Sequence, residues 1–322
     1  MDEFELIQSI KPKTYFQSSL IKGIDDDAAI FRPTGYDVVT AVDTFVDEIH
    51  FSNKTMDYFH IGYRALAANV SDMAAMGATP KFYLVSLVIP KEIKDDQIHE
   101  IYRGMKELAS KYKIDLIGGD TVSGKQLIIS ITIIGYVLKG KARYRNLAKP
   151  NDIVFVTGTL GGSRAGLHVL LHQLNETNKK ELIRKHRLPE PRVQFSTSLQ
   201  KLNRVALNDI SDGIANELYE IAEASNVTIT IDDELIPIHP QLKQFPIEKQ
   251  YEWKYFGGED FELVGTVSPD DWSFVEQIAK EIKLQVTKIG RVTNEKDANG
   301  KVFMLKSNQK HLLQKGGYVH LK

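Results

Sequence analysis

Strand-type and helix-type segments alternate along all 322 residues of the chain, and this alternation restricts the fold to the mixed classes. The β-branched segment Val38–Val42 and the Ile-rich segment Leu127–Val137 predict strands. Asp57–Met76 predicts a helix, and so does Asp95–Tyr112, whose apolar residues recur at helical spacing. Long strands joined by two helices predict an α+β fold for the first half of the chain.

The length predicts two domains, at roughly 150 residues per domain. The turn-rich polar segment Asn146–Asp152 is the predicted boundary, which gives domains of residues 1–147 and 148–322. A buried-type strand, Ile153–Thr157, and a helix that begins near Ser163 follow this boundary, so the second domain is also predicted to be α+β. The other predicted elements are the strands Phe82–Ile89, Val227–Ile231, Phe261–Val267 and Leu284–Val292 and the helices Ile214–Ala224 and Asp270–Ile282.

Composition excludes several classes of protein. The chain has no cysteine, which excludes a disulfide scaffold, a thiolate zinc site and a cysteine nucleophile. Lys and Arg total 41 and Asp and Glu total 42, so the basic excess of a non-specific nucleic-acid binder is missing. The N-terminal residues lack the basic region of a secretory signal, and the longest apolar stretch, Leu127–Leu138, is too short to span a bilayer. We therefore expect a cytoplasmic protein without membrane or nucleic-acid partners.

Six short segments place a carboxylate among Gly, Ala or Ser residues, whose small side chains let a ligand approach closely. Each has an ordinary structural explanation: Ser71 or Asp72 would be a helix N-cap, and Gly118-Gly119 would form a turn. The set is unusual because most of these acids have no Lys or Arg near them in the sequence. The segments are Gly23–Ala29, Ala41–Thr44, Asn69–Ala78, Gly118–Thr121, Asp209–Gly213 and Gly257–Leu263.

Carboxylates that cluster repel one another unless a cation joins them. Oxygen ligands with no cysteine and little histidine indicate Mg²⁺, which commonly bridges carboxylates to substrate phosphates. The P-loop signature and the protein-kinase motifs are both missing from the sequence. The Gly-rich run Gly158–Ser163 follows a strand and opens a helix, so its amides either hold a phosphate or form a packing turn.

Four of these segments, in their order along the chain, resemble the motifs of thiamine-monophosphate kinases, which belong to the aminoimidazole ribonucleotide synthetase-like ATP-binding superfamily. The resemblance extends from Gly23 to Tyr318. It implies Mg²⁺-dependent, direct transfer of the γ-phosphoryl group of ATP to thiamine monophosphate by a homodimer, with several Mg²⁺ ions and no covalent or general-base residue. It also implies an N-terminal sheet domain (1–147) for ATP, Mg²⁺ and dimer contacts, and a C-terminal α/β sandwich (148–322) that closes the substrate cleft. The four segments are Asn69–Ala78, Gly118–Thr121, Asp209–Gly213 and Gly257–Leu263.

The resemblance also implies roles for individual residues. The implied metal ligands are Asp27, Asp43, Asp72, Asp120, Asp209 and Asp212. The implied nucleotide contacts are Tyr102, Gly119, Asp120, Arg145 and Ser211. The implied contacts to thiamine monophosphate are His50, Glu259 and Tyr318. Taken without the resemblance, His50 is explained as a structural hydrogen-bonder, Tyr102 as core packing and Tyr318 as an anchor of the C-terminus.

The chain departs from the family at one place and leaves two alternatives open. Ala41 and Val42 precede Asp43 where the family usually has Thr or Ser, so neither side chain offers a hydroxyl to a metal. One alternative is another enzyme of the superfamily. Selenophosphate synthetases and hydrogenase-maturation relatives need a cysteine or selenocysteine that this chain lacks, so aminoimidazole ribonucleotide synthetase is the superfamily enzyme that stays open. The other is a nucleotide-binding regulatory protein without turnover.

Overall fold

The computed structural model describes residues 9–22, 30–175, 179–295 and 298–317. The chain divides into two compact units. The first comprises Met1–Met73 and Ala78–Gly140, and the second comprises Ala74–Gly77 and Lys141–Lys322. No helix within the described ranges is long and apolar enough to cross a membrane.

A four-stranded sheet lies at the centre of the first unit. Its strands are β3 (Tyr36–Val46), β4 (Thr79–Pro90), β5 (Asp115–Gly124) and β6 (Ile128–Leu138). Their order in the sheet is β3-β6-β4-β5, in which β4 and β5 are parallel and the other neighbours are antiparallel. A separate two-stranded ladder pairs β1 (Leu20–Lys22) with β2 (Ile30–Phe31).

The two faces of this sheet differ in burial. On β6, Ile129, Ile131 and Ile133 are fully buried, so alternate positions of this strand form a core face. The opposite face carries apolar side chains that remain accessible, among them Val38 and Val42, which is 61% exposed. The first unit thus has a well-packed face and an apolar face that is partly open.

Two helices of the first unit pack closely against each other. They are α1 (Tyr58–Ala75) and α2 (Asp95–Tyr112). A Cβ atom at Gly62 would lie 1.9 Å from the carbonyl oxygen of Ile101, and one at Gly104 would lie 1.9 Å from that of Phe59. Only glycine fits at these two positions, because any side chain would force the helices apart.

The second unit is built on a seven-stranded sheet in the order β13-β12-β9-β11-β7-β10-β8. Only the β12–β9 pair is parallel among these strands. The strands are β7 (Ile153–Thr157), β8 (Val205–Asp209), β9 (Thr228–Asp232), β10 (Leu263–Val267), β11 (Val286–Thr293), β12 (Val302–Lys306) and β13 (Gln309–Leu312). The α-helices are α3 (Gly162–Leu171), α4 (Lys180–Arg187), α5 (Val193–Ser198), α6 (Ile214–Ser225), α7 (Ile247–Phe256) and α8 (Trp272–Glu281).

Helix α6 supplies several residues of a core cluster in this unit. Its residues Ile214, Leu218 and Ile221 are fully buried at helical spacing. They share the cluster with strand residues that include Ala206 of β8 and Val264 of β10. This packing fixes the end of β8, where the predicted residue Asp209 lies, and the loop to α6, which contains Ser211, Asp212 and Gly213.

The predicted α+β class is confirmed, and the predicted strand Ile153–Thr157 and helix Asp95–Tyr112 have the observed bounds. Two local explanations were wrong. Gly118-Gly119 is not a turn but part of β5, where glycines are tolerated because this strand is at the sheet edge. Ser71 and Asp72 do not cap a helix, because both lie within α1.

Candidate active site

Asp43 and Asp120 lie in strands of the first unit's sheet. The pairing register places Asp43 opposite Ile131, and this row continues through Val85 to Gly119. Asp120 falls in the next row and, because side chains alternate along a strand, projects from the opposite face. The two strands are separated by three strand spacings, about 14 Å. Within this unit the structure therefore does not bring the Asp43 and Asp120 side chains together.

The two carboxylates also differ in environment. Asp43 is half-buried, and its burial raises the pKa of its carboxyl group. Asp120 is exposed, and its carboxylate accepts a hydrogen bond of 2.9 Å from the backbone amide of Thr121. A bound cation would oppose the effect of burial on Asp43, since a nearby positive charge favours the ionised form. Asp43 is therefore a carboxylate whose ionised form would need a nearby positive charge to offset its burial.

Asp72 lies on α1, three residues after Asn69, so both residues are on one side of the helix. The Asn69 side chain is fully buried, and its Nδ2 donates to the carbonyl oxygen of Ala65 over 3.0 Å. Its Oδ1 has no hydrogen-bond partner among the residues that the structure describes. A buried amide oxygen and a nearby carboxylate are hard donors of the kind that Mg²⁺ prefers.

The predicted metal ligands do not form a cluster that can be seen in the structure. Within the described part of the chain, there is no group of three or more His, Asp and Glu side chains arranged to hold a metal ion. Asp27 lies outside the described residues. The other predicted ligands are divided between the first unit, with Asp43, Asp72 and Asp120, and the second unit, with Asp209 and Asp212.

Tyr102, a predicted nucleotide contact, lies on α2. Its side chain is buried, its hydroxyl group is hydrogen-bonded to the side chain of Thr121, and burial raises the pKa of that hydroxyl well above its ordinary value. It lines a cavity of about 410 Å³ whose wall includes Lys13, Arg103 and Lys106. Tyr102 therefore has a packing role, but it also borders a space with basic side chains.

Gly119, another predicted nucleotide contact, has a structural reason to be glycine. A Cβ atom there would lie 2.0 Å from the carbonyl oxygen of Val85 on the neighbouring strand. Close packing between β4 and β5 thus requires glycine at this position, whether or not a nucleotide approaches its backbone.

His50, a predicted substrate contact, closes the turn after β3. Its Nδ1 accepts a hydrogen bond of 3.0 Å from the backbone amide of Val46, and its own amide donates to the carbonyl oxygen of Val46 over 2.9 Å. Because Nδ1 is an acceptor, the proton of the neutral ring lies on Nε2. The structural role expected of a lone histidine is therefore observed, and substrate contact through His50 stays a prediction.

In the second unit, two predicted segments are joined by their backbones. The amide of Glu259 donates to the carbonyl oxygen of Ser211 over 2.7 Å. A Cβ atom at Gly258 would lie 2.4 Å from the same oxygen, so the segments touch where one of them has no side chain. Gly317 approaches equally closely, since its Cβ would lie 2.4 Å from the carbonyl oxygen of Asp212. Tyr318, the next residue, lies outside the described residues.

Two backbone amides of the Gly-rich run Gly158–Ser163 are already bound by a side chain of the protein. Asp260 is buried and accepts hydrogen bonds from the amide of Gly161, at 2.6 Å, and from the amide of Ser163, at 3.0 Å. Burial raises the pKa of Asp260 to about 7, although the two amides and Lys185 oppose the rise. Of the two explanations for this run, the structure favours the packing turn.

Glu262 holds the start of the same Gly158–Ser163 run, through the side chain of the preceding residue, Thr157. Burial alone would raise the pKa of its carboxyl group, but the Arg192 guanidinium holds it below its ordinary value, with help from Lys185. Arg192 donates to both carboxylate oxygens, at 2.5 and 2.6 Å, and the hydroxyl group of Thr157 donates to one of them over 2.8 Å. The alternate acids Asp260 and Glu262 are therefore structural, and Glu259 is the predicted substrate contact between Gly258 and this anchor.

Arg145, a predicted nucleotide contact, is bound to residues that the sequence analysis did not identify. Its Nε donates to Oδ1 of Asn208 over 3.0 Å, and its Nη1 lies 3.2 Å from a carboxylate oxygen of Glu220. Nδ2 of Asn208 donates to Glu220 over 2.9 Å and also to Glu217. Glu217 in turn accepts a hydrogen bond of 3.2 Å from the backbone amide of Asp212.

Glu217 is buried in this network. Its burial, together with the charges of Asp209 and Glu220, raises the pKa of its carboxyl group to about 9. The sequence does contain a signal for it: Glu217 falls three residues after the buried Ile214, on the apolar side of α6. Asn208 likewise occupies an inward position on β8 between Ala206 and Ile210. Glu217 and Asn208 could therefore have been identified from the sequence, because each is a polar residue at a position where the pattern predicts an apolar one.

Comparisons with known proteins agree along nearly the whole chain. The N-terminal domain of AIR synthase related proteins matches residues 25–137, and the C-terminal domain matches residues 149–302. The chain is 48% identical to the thiamine-monophosphate kinase of Bacillus subtilis strain 168, with complete coverage of both chains.

Solved structures are similar as well. The crystal structure of thiamine-monophosphate kinase from Stenotrophomonas maltophilia K279a matches with a TM-score of 0.85 and 32% identity, over 94% of this chain and 96% of that one. A structure described as AaThiL complexed with AMPPCP and TMP matches with a TM-score of 0.78 and 30% identity, over 99% of this chain and 97% of that one.

Proposed function

The chain belongs to the thiamine-monophosphate kinase family, and we propose that it transfers the γ-phosphoryl group of ATP to thiamine monophosphate, which yields thiamine diphosphate and ADP. One structural observation supports this function for the candidate site. The Glu259 amide is bound to the Ser211 carbonyl oxygen, so a predicted substrate contact and a predicted nucleotide contact lie side by side. The reaction brings the same two partners, phosphate acceptor and nucleotide, together.

The chemistry needs charge neutralisation more than it needs a base. Both substrates are polyanions that repel each other, and the attacking atom is already a phosphate oxygen. Carboxylates of the predicted ligand set would hold divalent cations, whose positive charge would offset the repulsion between the two substrates. We infer that the cation is Mg²⁺, because the available donors are carboxylate and amide oxygens.

The proposed ligands for Mg²⁺ keep the assignment that the resemblance implies. The half-buried Asp43 carboxylate and the buried Asn69 oxygen on the same helix as Asp72 support this proposal, since both are hard oxygen donors. The full proposed set is Asp27, Asp43, Asp72, Asp120, Asp209 and Asp212.

The other residues bind the two substrates. Arg145 would hold nucleotide phosphates, since its guanidinium is planar, always charged and 53% exposed. The proposed nucleotide contacts are Tyr102, Gly119, Asp120, Arg145 and Ser211. The proposed thiamine monophosphate contacts are His50, Glu259 and Tyr318, whose aromatic ring would suit the cationic thiazolium.

A coupled assay of ADP release tests the function. The purified protein is given ATP, Mg²⁺ and thiamine monophosphate, with thiamine as the control acceptor that lacks the phosphate. We expect ADP release with the monophosphate only, and thiamine diphosphate in equal amount. ADP release with the formylglycinamidine substrate instead would assign the chain to aminoimidazole ribonucleotide synthetase chemistry. ATP binding without any acceptor-dependent turnover would indicate the regulatory alternative.

We also propose that the protein is a homodimer formed through the open face of the first unit's sheet. Tyr36, Val38, Val42, Val122 and Leu138 are apolar side chains on this sheet that are each at least 45% exposed. Exposed apolar patches of this kind mark contact surfaces, and a second copy offers the same patch in return. Light scattering should give twice the chain mass of 36.4 kDa, whereas a mass of one chain at assay concentration would rule the dimer out.

We propose a cytoplasmic location, which the absence of cysteine from the sequence supports because that composition suits a reducing compartment. Fractionation of producing cells should recover the protein with cytoplasmic enzymes, and recovery in an extracellular or membrane fraction would contradict the proposal.

A further inference from the structure

A continuous chain of hydrogen bonds joins Arg145 to the backbone of Asp212. Arg145 Nε donates to Asn208 Oδ1 over 3.0 Å, and Asn208 Nδ2 donates to Glu217 Oε2. The other carboxylate oxygen of Glu217, Oε1, accepts the amide of Asp212 over 3.2 Å. All four residues belong to the second unit. A proposed nucleotide contact and a proposed metal ligand are thus connected by two intermediate side chains.

The two intermediate residues are deeply buried. Asn208 is 1% exposed and Glu217 is 2% exposed, whereas the Arg145 side chain is 53% exposed. Polar groups in a core lower stability unless their hydrogen bonds are satisfied. Here both ends of the Asn208 amide are used, since Oδ1 accepts from Arg145 and Nδ2 donates to Glu217 and Glu220. An apolar side chain would fill the same space, so packing alone does not account for asparagine here.

We propose that Asn208 and Glu217 are positioning residues that couple nucleotide binding at Arg145 to metal binding at Asp212. Asn208 fixes the direction of the guanidinium, and Glu217 fixes the peptide that begins Asp212. A shift at either end is passed to the other, because buried hydrogen-bonded side chains have few alternative arrangements. This inference rests on the proposed function, in which Arg145 contacts ATP and Asp212 contacts the metal.

The test measures binding rather than turnover, so that it does not depend on the identity of the acceptor. Titration calorimetry gives the Kd of the ATP analogue AMPPCP at a series of Mg²⁺ concentrations. The variants are Asn208→Leu, which removes the amide at similar volume, and Glu217→Gln, whose single oxygen satisfies only one of the two donors that Glu217 serves. Asn208→Ser replaces Asn208→Leu if the latter does not fold. The matched control is Asn216→Ala, which removes a 3.3 Å hydrogen bond to Glu220. That bond is not one of those that join Arg145 through Asn208 and Glu217 to Asp212.

We expect Asn208→Leu and Glu217→Gln each to raise the nucleotide Kd roughly tenfold, and to raise the Mg²⁺ concentration that half-saturates binding by a similar factor. Asn216→Ala should change both quantities by less than about twofold. In turnover assays, the KM for thiamine monophosphate should stay within about twofold of wild type. A general loss of structure would change this KM as well, so the KM separates the two explanations.

A double-mutant cycle then isolates the coupling. Arg145→Ala and Glu217→Gln should cost less together than the product of their separate effects on the Kd, and this shortfall should vanish when Asn208 is replaced. Effects that multiply in both backgrounds, or a Kd unchanged by Glu217→Gln, would overturn the proposal. Failure of the ADP assay with thiamine monophosphate would overturn the function and leave these binding results to stand by themselves.

Discussion

The backbone amide of Glu259 donates to the carbonyl oxygen of Ser211 over 2.7 Å, which joins two segments that are 48 residues apart in the chain (259 minus 211). Glu259 adopts a left-handed backbone with φ of 65°, as does Phe261 with φ of 50°. Such conformations are unfavourable for residues other than glycine and persist only where the surroundings enforce them. The buried Asp260 and Glu262 side chains supply that enforcement, so the position of Glu259 is built into the fold.

Gly258→Ala should therefore damage the site. Its new Cβ would lie 2.4 Å from the Ser211 carbonyl oxygen, so the two segments would have to separate. We expect kcat/KM for thiamine monophosphate to fall on the order of tenfold or more, since small displacements of positioned groups carry large rate penalties. The measurement is steady-state kinetics with the substrate varied at saturating ATP.

A matched glycine distinguishes site damage from general destabilisation. Gly290→Ala would place a Cβ 2.2 Å from the Thr230 carbonyl oxygen, a comparable collision inside β11. It should lower the melting temperature while the KM stays near that of wild type. If the two variants lose activity only in proportion to their loss of folded protein, the proposed importance of the Ser211–Glu259 contact is wrong.

Asp72→Asn should lower kcat by about 10²-fold or more, because it removes charge that would neutralise the phosphoryl groups in the transition state. The control is Asp57→Asn, which removes a carboxylate at the N-terminus of the same helix, where Asp57 accepts the amide of His60 over 2.9 Å. Asparagine also accepts at such a position, so this control should keep near-normal activity. Near-normal kcat for Asp72→Asn at saturating Mg²⁺ would remove Asp72 from the metal site.

Elements with a strong local pattern were predictable from the sequence. Helix α2 and strand β7 were predicted with their observed bounds, because helical spacing and an unbroken run of β-branched and aromatic residues leave little choice. Strand β8 was missed, since its sequence VALND ends in two polar residues that a single-strand pattern does not expect. The partners of its inward Asn208 are Arg145 and residues of α6, which are distant in the sequence.

The candidate site was predictable only as a set of residue types. The motifs singled out Asp260 and Glu262 together with Glu259, but only the structure shows that the first two are buried anchors. Asp43 and Asp120 were predicted to act together, yet strand register places them on opposite sheet faces. Pairing register and burial depend on distant parts of the chain, and no spacing within one motif contains them.

Arg192→Met should destabilise the second unit by about 3–5 kcal/mol, because it leaves the Glu262 carboxylate buried with Lys185 as its remaining cationic partner. Lys249→Met is the control: it breaks a 2.9 Å ion pair with Glu252 whose side chains are both more than 40% exposed. That variant should change the free energy of unfolding by less than about 1 kcal/mol. Urea unfolding gives both values. Equal losses of unfolding free energy in the two variants would show that the buried ion pair stabilises the protein no more than the exposed one.

Asp260 should make the protein less stable as the pH rises towards neutrality. Its pKa is about 7 in the folded protein against an ordinary value of 3.8, so between these values the folded state binds more protons than the unfolded state. The free energy of unfolding therefore falls with rising pH across this window, by at most about 1.4 kcal/mol per pH unit, and this contribution levels off above pH 7.

The variant Asp260→Asn tests this pH dependence, because its side chain cannot titrate. The difference in unfolding free energy, wild type minus variant, should fall from pH 4.5 to 7 and stay constant from pH 7.5 to 8.5, as measured by urea unfolding at each pH. A difference that is constant over the whole range, or that rises with pH, would mean that Asp260 is ionised in the folded protein and is held by the Gly161 and Ser163 amides as an anion.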